Sequence, residues 1–217
     1  MTQPFIRNHQ YNLILKQMDL LQHTYRTVAD PKIIESVRFS AESKIIEVFE
    51  SLTEEQRQLL SAISSLKTAE DFHAYGRSLE PYLIEFPQVT EKQIKKLFHK
   101  NKKLAMPDWS SIRNDRITYL GWLDISTNKM FIVYQLNGQI IGLEGKFTPT
   151  HKKGVCFICN RHEEVALFSA ISKSRPANAS SDYYKAVGNY MCIHSDACNK
   201  NITDLTSLEK FIHHVIG

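Results

Sequence analysis

The sequence predicts an α+β protein: an antiparallel helical bundle in front, then an α/β region that ends in a four-cysteine knuckle. Three observations predict it. Apolar residues in the first third recur at helical spacing, the spacing shifts to that of strands from Ile117, and all four cysteines fall after Val155. The chain has 217 residues, 42% of them hydrophobic, and a formal charge of +4. That is enough for one large domain or two small ones. No apolar run is long enough to span a bilayer, so no membrane role is expected. The opening MTQPFIRNHQYNLILKQMDLL lacks the charged, apolar, then small-residue order of a signal peptide. A cytoplasmic protein is therefore expected. In a reducing cytosol, closely paired cysteines are more often metal ligands than disulfides.

Residues 1–80 read as the bundle. Tyr11, Ile14, Leu15, Met18, Leu21 and Tyr25 make one apolar stripe. Asp30-Pro31 restarts the chain, with Asp as cap and Pro at the first helical position. Ile34, Val37, Ala41, Ile45 and Val48 make the second stripe. Thr53–Gln56 is a capping box that opens a third helix with Leu59, Leu60 and Ile63. Thr68 with Asp71 opens a fourth, carrying Phe72, Tyr75 and Leu79. Short connections between four amphipathic helices favour antiparallel neighbours.

Pro81 and Pro87 mark the boundary, and residues 81–217 read as a C-terminal domain. Its first part, residues 81–150, opens with TEKQIKKLFHKNKKL, a helix with a capping box from Thr90 to Gln93. Ile94, Leu97 and Phe98 face inward there. Lys92, Lys95, Lys96, Lys100, Lys102 and Lys103 cover the rest, as a solvated face or a contact for an acidic partner. The basic excess lies in this half: residues 80–150 carry ten Lys/Arg against seven Asp/Glu. ITYLGWLDI, KMFIVYQL and QIIGLEGKF then read as a three-stranded antiparallel meander, its second turn set by Asn137-Gly138. Trp122 and Tyr134 read as core aromatics.

The second part, residues 151–217, holds Cys156, Cys159, Cys192 and Cys198. A C-x-x-C turn, a long loop and a second cysteine pair are the donor set of a tetrahedral thiolate site for one structural Zn2+. EVALFSAIS and KAVGNYM form a hairpin between the pairs, and Asp196 is placed to cap a short helix with Cys198 in its first turn. Knuckle, hairpin and helix make a treble-clef zinc finger. His151, His162 and His194 lie close by, but four sulfurs already fill a tetrahedron. Four thiolates leave no position for a reacting water, which points to structure rather than catalysis. This part looks too small for a strong core of its own, so the metal is expected to supply much of its folding energy. Leu205, Leu208, Phe211, Ile212 and Val215 stripe a final helix. The stretch SKSRPANASSD reads as a polar loop, and its NAS sequon is discounted without an export signal.

Little else carries chemistry. There is no phosphate-binding glycine loop, nucleophile elbow or H-E-x-x-H. Asp124 and Glu144 are carboxylates without a readable partner. No enzyme and no small-molecule substrate are expected.

The chain resembles the FusB-type proteins, which bind bacterial elongation factor G and confer fusidic acid resistance. The resemblance rests on HQYNLILKQMDLLQHTYRTVAD, on FPQVTEKQIKKLFHKNKKLAMPD, on YLGW with STNKMFIVY, and on KGVCFICN, VALF and GNYMCIHSDACN. It runs over nearly the whole chain. It implies a helical N-terminal region and a C-terminal region whose zinc finger uses Cys156, Cys159, Cys192 and Cys198. It also implies contact with the C-terminal domains of elongation factor G and release of that factor from stalled ribosomes, without chemistry on the drug. Three positions correspond to those that contribute to factor binding in the family. Tyr190 is retained. Val155 stands where the resistance proteins have an aromatic, and Val187 where they have a lysine, with Lys185 placed to restore the charge. These departures point to a chromosomal homologue. Two other readings stay open: an RNA- or ribosome-binding zinc module using the Lys-rich helix, and a fibronectin-binding surface protein.

Overall fold

The computed structural model describes residues 3–174, 176–178, 180 and 182–217, with Ser111 by its backbone alone. Arg175, Ala179 and Ser181 of the SKSRPANASSD stretch, and so its NAS sequon, lie outside the described residues. The chain divides into two compact units, residues 1–84 and 85–217.

Helices in the first unit begin where the caps place them. Helix α1 spans Asn8–Thr27, α2 Pro31–Glu47, α3 Glu54–Ser61 and α4 Ala69–Leu79. Asp30 accepts from the Lys32 N–H at 2.8 Å, and the Thr53 hydroxyl from the Gln56 N–H at 3.3 Å while Gln56 answers at 2.9 Å. Tyr11, Ile14, Met18 and Leu21 from α1 meet Ala41, Ile45, Leu60, Ile63, Phe72 and Leu79 in one core. Tyrosine hydroxyls at its margin are satisfied by main-chain carbonyls: Tyr11 donates to Gly76, Tyr25 to Leu66 and Tyr75 to Leu60. The strand-like Ile6 pairs with Leu83 in parallel, which ties the start of the unit to its end. Replacing Thr53 by alanine removes one hydrogen bond from the α3 start. The expected cost is about 1 kcal/mol in urea unfolding.

The second unit is built on one five-stranded antiparallel sheet, in chain order. Its strands are β1 Leu120–Asp124, β2 Lys129–Leu136, β3 Gln139–Val155, β4 His162–Ile171 and β5 Ala186–Cys192. The meander expected from sequence is thus extended to five strands. β3 runs straight across residue 150, through a bulge between Pro149 and Lys153, and the cysteine hairpin pairs onto it as β4–β5. His151 takes a left-handed φ of 54° in that bulge.

Register assigns the two faces. One face carries Met130, Ile132, Tyr134, Leu143, Phe147, Ala166, Phe168 and Met191, packed against α6 (Ser195–Asn201), α7 (Thr206–Ile216) and the knuckle. The cysteines therefore sit in a substantial core, which residues 151–217 share with β1–β3 rather than build on their own. The other face carries Leu120, Trp122, Phe131 and Val133, covered by Ile94 and Phe98 of the Lys-rich segment. Gly142 lets that segment down onto β3: an added Cβ would stand 2.8 Å from the Phe98 ring. Helix α5 itself is short, Glu91–Leu97, because Phe98 leaves helical geometry and turns the chain toward Asn101. Trp122 and Tyr134 are both core. The Trp122 indole donates to the Ala105 carbonyl and the Tyr134 hydroxyl to Glu209 at 2.6 Å.

Two carboxylates without a partner in the sequence have one in the structure. Glu144 pairs with Lys129 at 3.2 Å and accepts from the Asn101 amide. Asp124 accepts from the Ser126 N–H and hydroxyl, which hold its carboxyl below the usual range. Both are ordinary structural contacts. Among the described residues no helix is long and apolar enough to cross a membrane.

Candidate metal centre and partner face

The knuckle is a turn at the end of β3. Asn160 takes a left-handed φ of 57°, a conformation Asn tolerates. Its N–H reaches the Cys156 carbonyl at 2.9 Å, and the Cys156 N–H reaches the Arg161 carbonyl. This bends Cys156 and Cys159 to the same side. β5 supplies Cys192 at its last residue, and α6 supplies Cys198. Asp196 was expected to cap α6, but the N-cap is His194, with no side-chain bond. Asp196 lies inside the first turn, and Cys198 donates its N–H to the His194 carbonyl.

All four sulfurs are buried and lie within 4.8 Å of one another. Cys156 and Cys198 are 3.8 Å apart, and Cys159 and Cys192 3.6 Å. A disulfide needs about 2.05 Å. A tetrahedron of sulfurs about 2.3 Å from a zinc ion has edges of about 3.8 Å. The donor set fits zinc. His151, His162 and His194 are exposed and stand outside this cluster.

The electrostatics also call for a cation. Hydrogen bonds from Cys159, then Cys192 and Cys198, draw the Cys156 thiol far below the ordinary range. Cys156 in turn pushes Cys192 and Cys198 far above it. Further thiolates need positive charge among the sulfurs. The Cys192 N–H already points at the Cys156 sulfur, at 3.4 Å.

Around the cluster lie residues the sequence reading passed over. Asn199, next to Cys198, accepts from the Thr118 and Tyr119 N–H groups at 2.7 and 3.2 Å and donates to the Tyr119 carbonyl at 2.9 Å. The Ser195 hydroxyl donates to Gly121 at 2.7 Å. These bonds fasten α6 to the start of β1. Their only signal in the sequence is the closeness of Asn199 and Ser195 to Cys198, and nothing local names the distant partner.

Comparison with known proteins follows the same division of the chain. The family model described as "FBP C-terminal treble-clef zinc-finger" matches residues 94–213, and "Elongation factor G-binding protein, N-terminal" matches residues 5–87. The chain belongs to the elongation factor G-binding protein family. It is also similar to the solved structure of the fusidic acid resistance protein FusC, with a TM-score of 0.79, 27% identity and 97% of each chain covered. A search of curated protein sequences finds no match. The FusB-type resemblance carried by the cysteine framework therefore holds, as does the α+β fold with a treble-clef zinc finger. This is a family of binding and resistance proteins.

The three family-matched positions and Lys185 are not gathered into one patch. Tyr190 pairs with Leu167, on the sheet face that α5 covers over β1–β3 but leaves open over β4–β5. It is 49% exposed, beside the half-buried Leu167 and on the same sheet face as Ile171, 66% exposed. Its carbonyl accepts from the Phe157 N–H of the knuckle at 2.8 Å. Val187 lies on the opposite face of β5, against Ala170 and the core. Val155, 56% exposed, ends β3 opposite His162, and the register sets it on the other side of the sheet from Tyr190. Lys185 is exposed just before β5, its carbonyl held by the Ser172 N–H.

Proposed function

We propose that this protein binds elongation factor G through the open β4–β5 face around Tyr190 and promotes its release from the ribosome, giving fusidic acid resistance by protecting the target. The observation that carries this is an exposed tyrosine whose own backbone is pinned to the metal knuckle. Zinc stiffens the strand that presents it, so little ordering is lost on binding. Tyr190, Leu167 and Ile171 offer an apolar centre, with the exposed Lys146 and Thr148 beside Ser169 and Leu167 in the register. Aromatics at such centres are the usual hot spots. Lys185 borders the contact, while Val155 lies on the other side of the sheet and Val187 shapes β5 from the core side. One zinc ion, held by Cys156, Cys159, Cys192 and Cys198, has a structural role. No catalysis is involved, and the site of action is the cytoplasm.

Titration calorimetry with elongation factor G from the same bacterium tests this. One-to-one binding is expected. Tyr190→Ala should weaken it about 30-fold, a hot-spot loss of about 2 kcal/mol, with zinc content unchanged. Undiminished affinity would remove Tyr190 from the contact. Binding to ribosomes without the factor, steeply weakened by salt, would favour the exposed lysines of the Lys92–Lys103 segment and an RNA partner instead.

A further inference from the structure

Tyr119 is fully buried just before β1, and its hydroxyl meets no partner in hydrogen-bond geometry. A buried, unpaired hydroxyl costs free energy, and phenylalanine would fill the same space without it. The surroundings leave the phenol no freedom to find solvent. Asn199 holds the Tyr119 main chain by two bonds and the Thr118 N–H by a third. Gly121 gives the ring its room: an added Cβ would stand 2.7 Å from Tyr119 Cε2, 2.9 Å from Met130 Cε and 3.1 Å from Ser195 Cβ. The ring is thus clamped between β1 and α6, in one core with all four cysteines. Cys198 is carried by that same helix, and burial first, then Cys198, Cys156 and Cys192, push the phenol's pKa well above its ordinary value.

We infer that the Tyr119 hydroxyl is an outer hydrogen-bond donor of the metal centre, bonding the Cys198 sulfur when the four sulfurs close on zinc. A phenol O–H is a donor, and a metal-bound thiolate is a far better acceptor than a thiol. The bond withdraws charge from Cys198, which makes that sulfur less open to protons and electrophiles and tunes the metal's hold. Tyr119 is thus a positioning residue that acts through its ligand. The inference rests on the four cysteines holding zinc.

Cobalt(II) is the probe, because its sulfur-to-metal charge-transfer bands report the electron richness of the thiolates. Tyr119→Phe should move those bands to longer wavelength and weaken zinc binding about tenfold in chelator competition. A purely structural loss would lower stability and leave the bands in place. Unmoved bands with equal or tighter zinc binding would overturn the donor, since deleting an unpaired hydroxyl is then neutral or helpful. A wild-type chain that takes up no cobalt would remove the zinc reading and the donor with it. Should the variant fail to fold, the wild-type chain loaded with spin-active cadmium decides. Scalar coupling between the Tyr119 hydroxyl proton and the metal supports the bond, and its absence overturns it.

Discussion

Cys198→Ala is expected to abolish zinc binding and to destabilise the second unit by about 5 kcal/mol or more, while the first unit unfolds as before. The magnitude follows from what the substitution leaves behind. Three sulfurs remain in a core where none of the four cysteines is more than 5% exposed. Without the fourth ligand the metal leaves, and any thiolate that stays is an uncompensated buried charge. The damage spreads because the four cysteines come from three places: the knuckle after β3, the end of β5 and the start of α6. Loss of a structural metal is among the few single changes that exceed 4 kcal/mol. Excess chelator should do the same to the wild-type chain. The first unit has its own core, built from α1 to α4, and contributes no ligand. Urea unfolding followed by near-ultraviolet signals from Trp122 and Trp109, both in the second unit, should shift alone. A variant with full zinc content, or a coincident shift of both units, would refute this account.

The four-cysteine cluster was legible because its chemistry is local and its residue type is scarce. Two closely spaced cysteines in a chain with only four leave few alternatives, and the turn between them needs only Asn160 at its end. The helix starts were legible for the same reason, since Asp30, Thr53 and Thr68 bond within their own first turns. What stayed hidden depends on distant partners. The stretch TPTHKKGV, beyond the strand read as QIIGLEGKF, holds a proline, a glycine and two lysines. It nonetheless continues β3, with Pro149 at the edge of the bulge, a place where a strand tolerates proline. The open face around Tyr190 was hidden too. Whether a strand faces solvent depends on how far Ile94 and Phe98 reach across the sheet, and they stop at β3. Alternation in GNYMC places Tyr190 and Met191 on opposite sides, but only the packing says which side is open.

Glycines sharpen the point and give the second large effect. The sequence singles out Gly138, in the Asn-Gly hairpin turn, where φ is +78° and nothing stands within 4 Å of an added Cβ. Gly138→Ala therefore meets only the strain of a left-handed residue, about 1 kcal/mol. Gly145, inside LEGKF, carries no such mark. Its φ is ordinary, yet an added Cβ would lie 2.6 Å from Phe168 Cε2 and 2.6 Å from the Ser169 carbonyl oxygen. The ring could shift, but it is fully buried in the main core. The carbonyl cannot, because Lys146 pairs with Ser169 and Gly145 with Ala170 in the same ladder. Relief requires β3 and β4 to part next to Phe147 and Phe168, where overpacking costs up to about 3 kcal/mol or more. Gly145→Ala should therefore destabilise the second unit at least twice as much as Gly138→Ala in urea unfolding. Because β3 carries the knuckle, its zinc should also be released to a chelator more readily. Equal costs at the two positions would mean that β3 and β4 are not packed this closely.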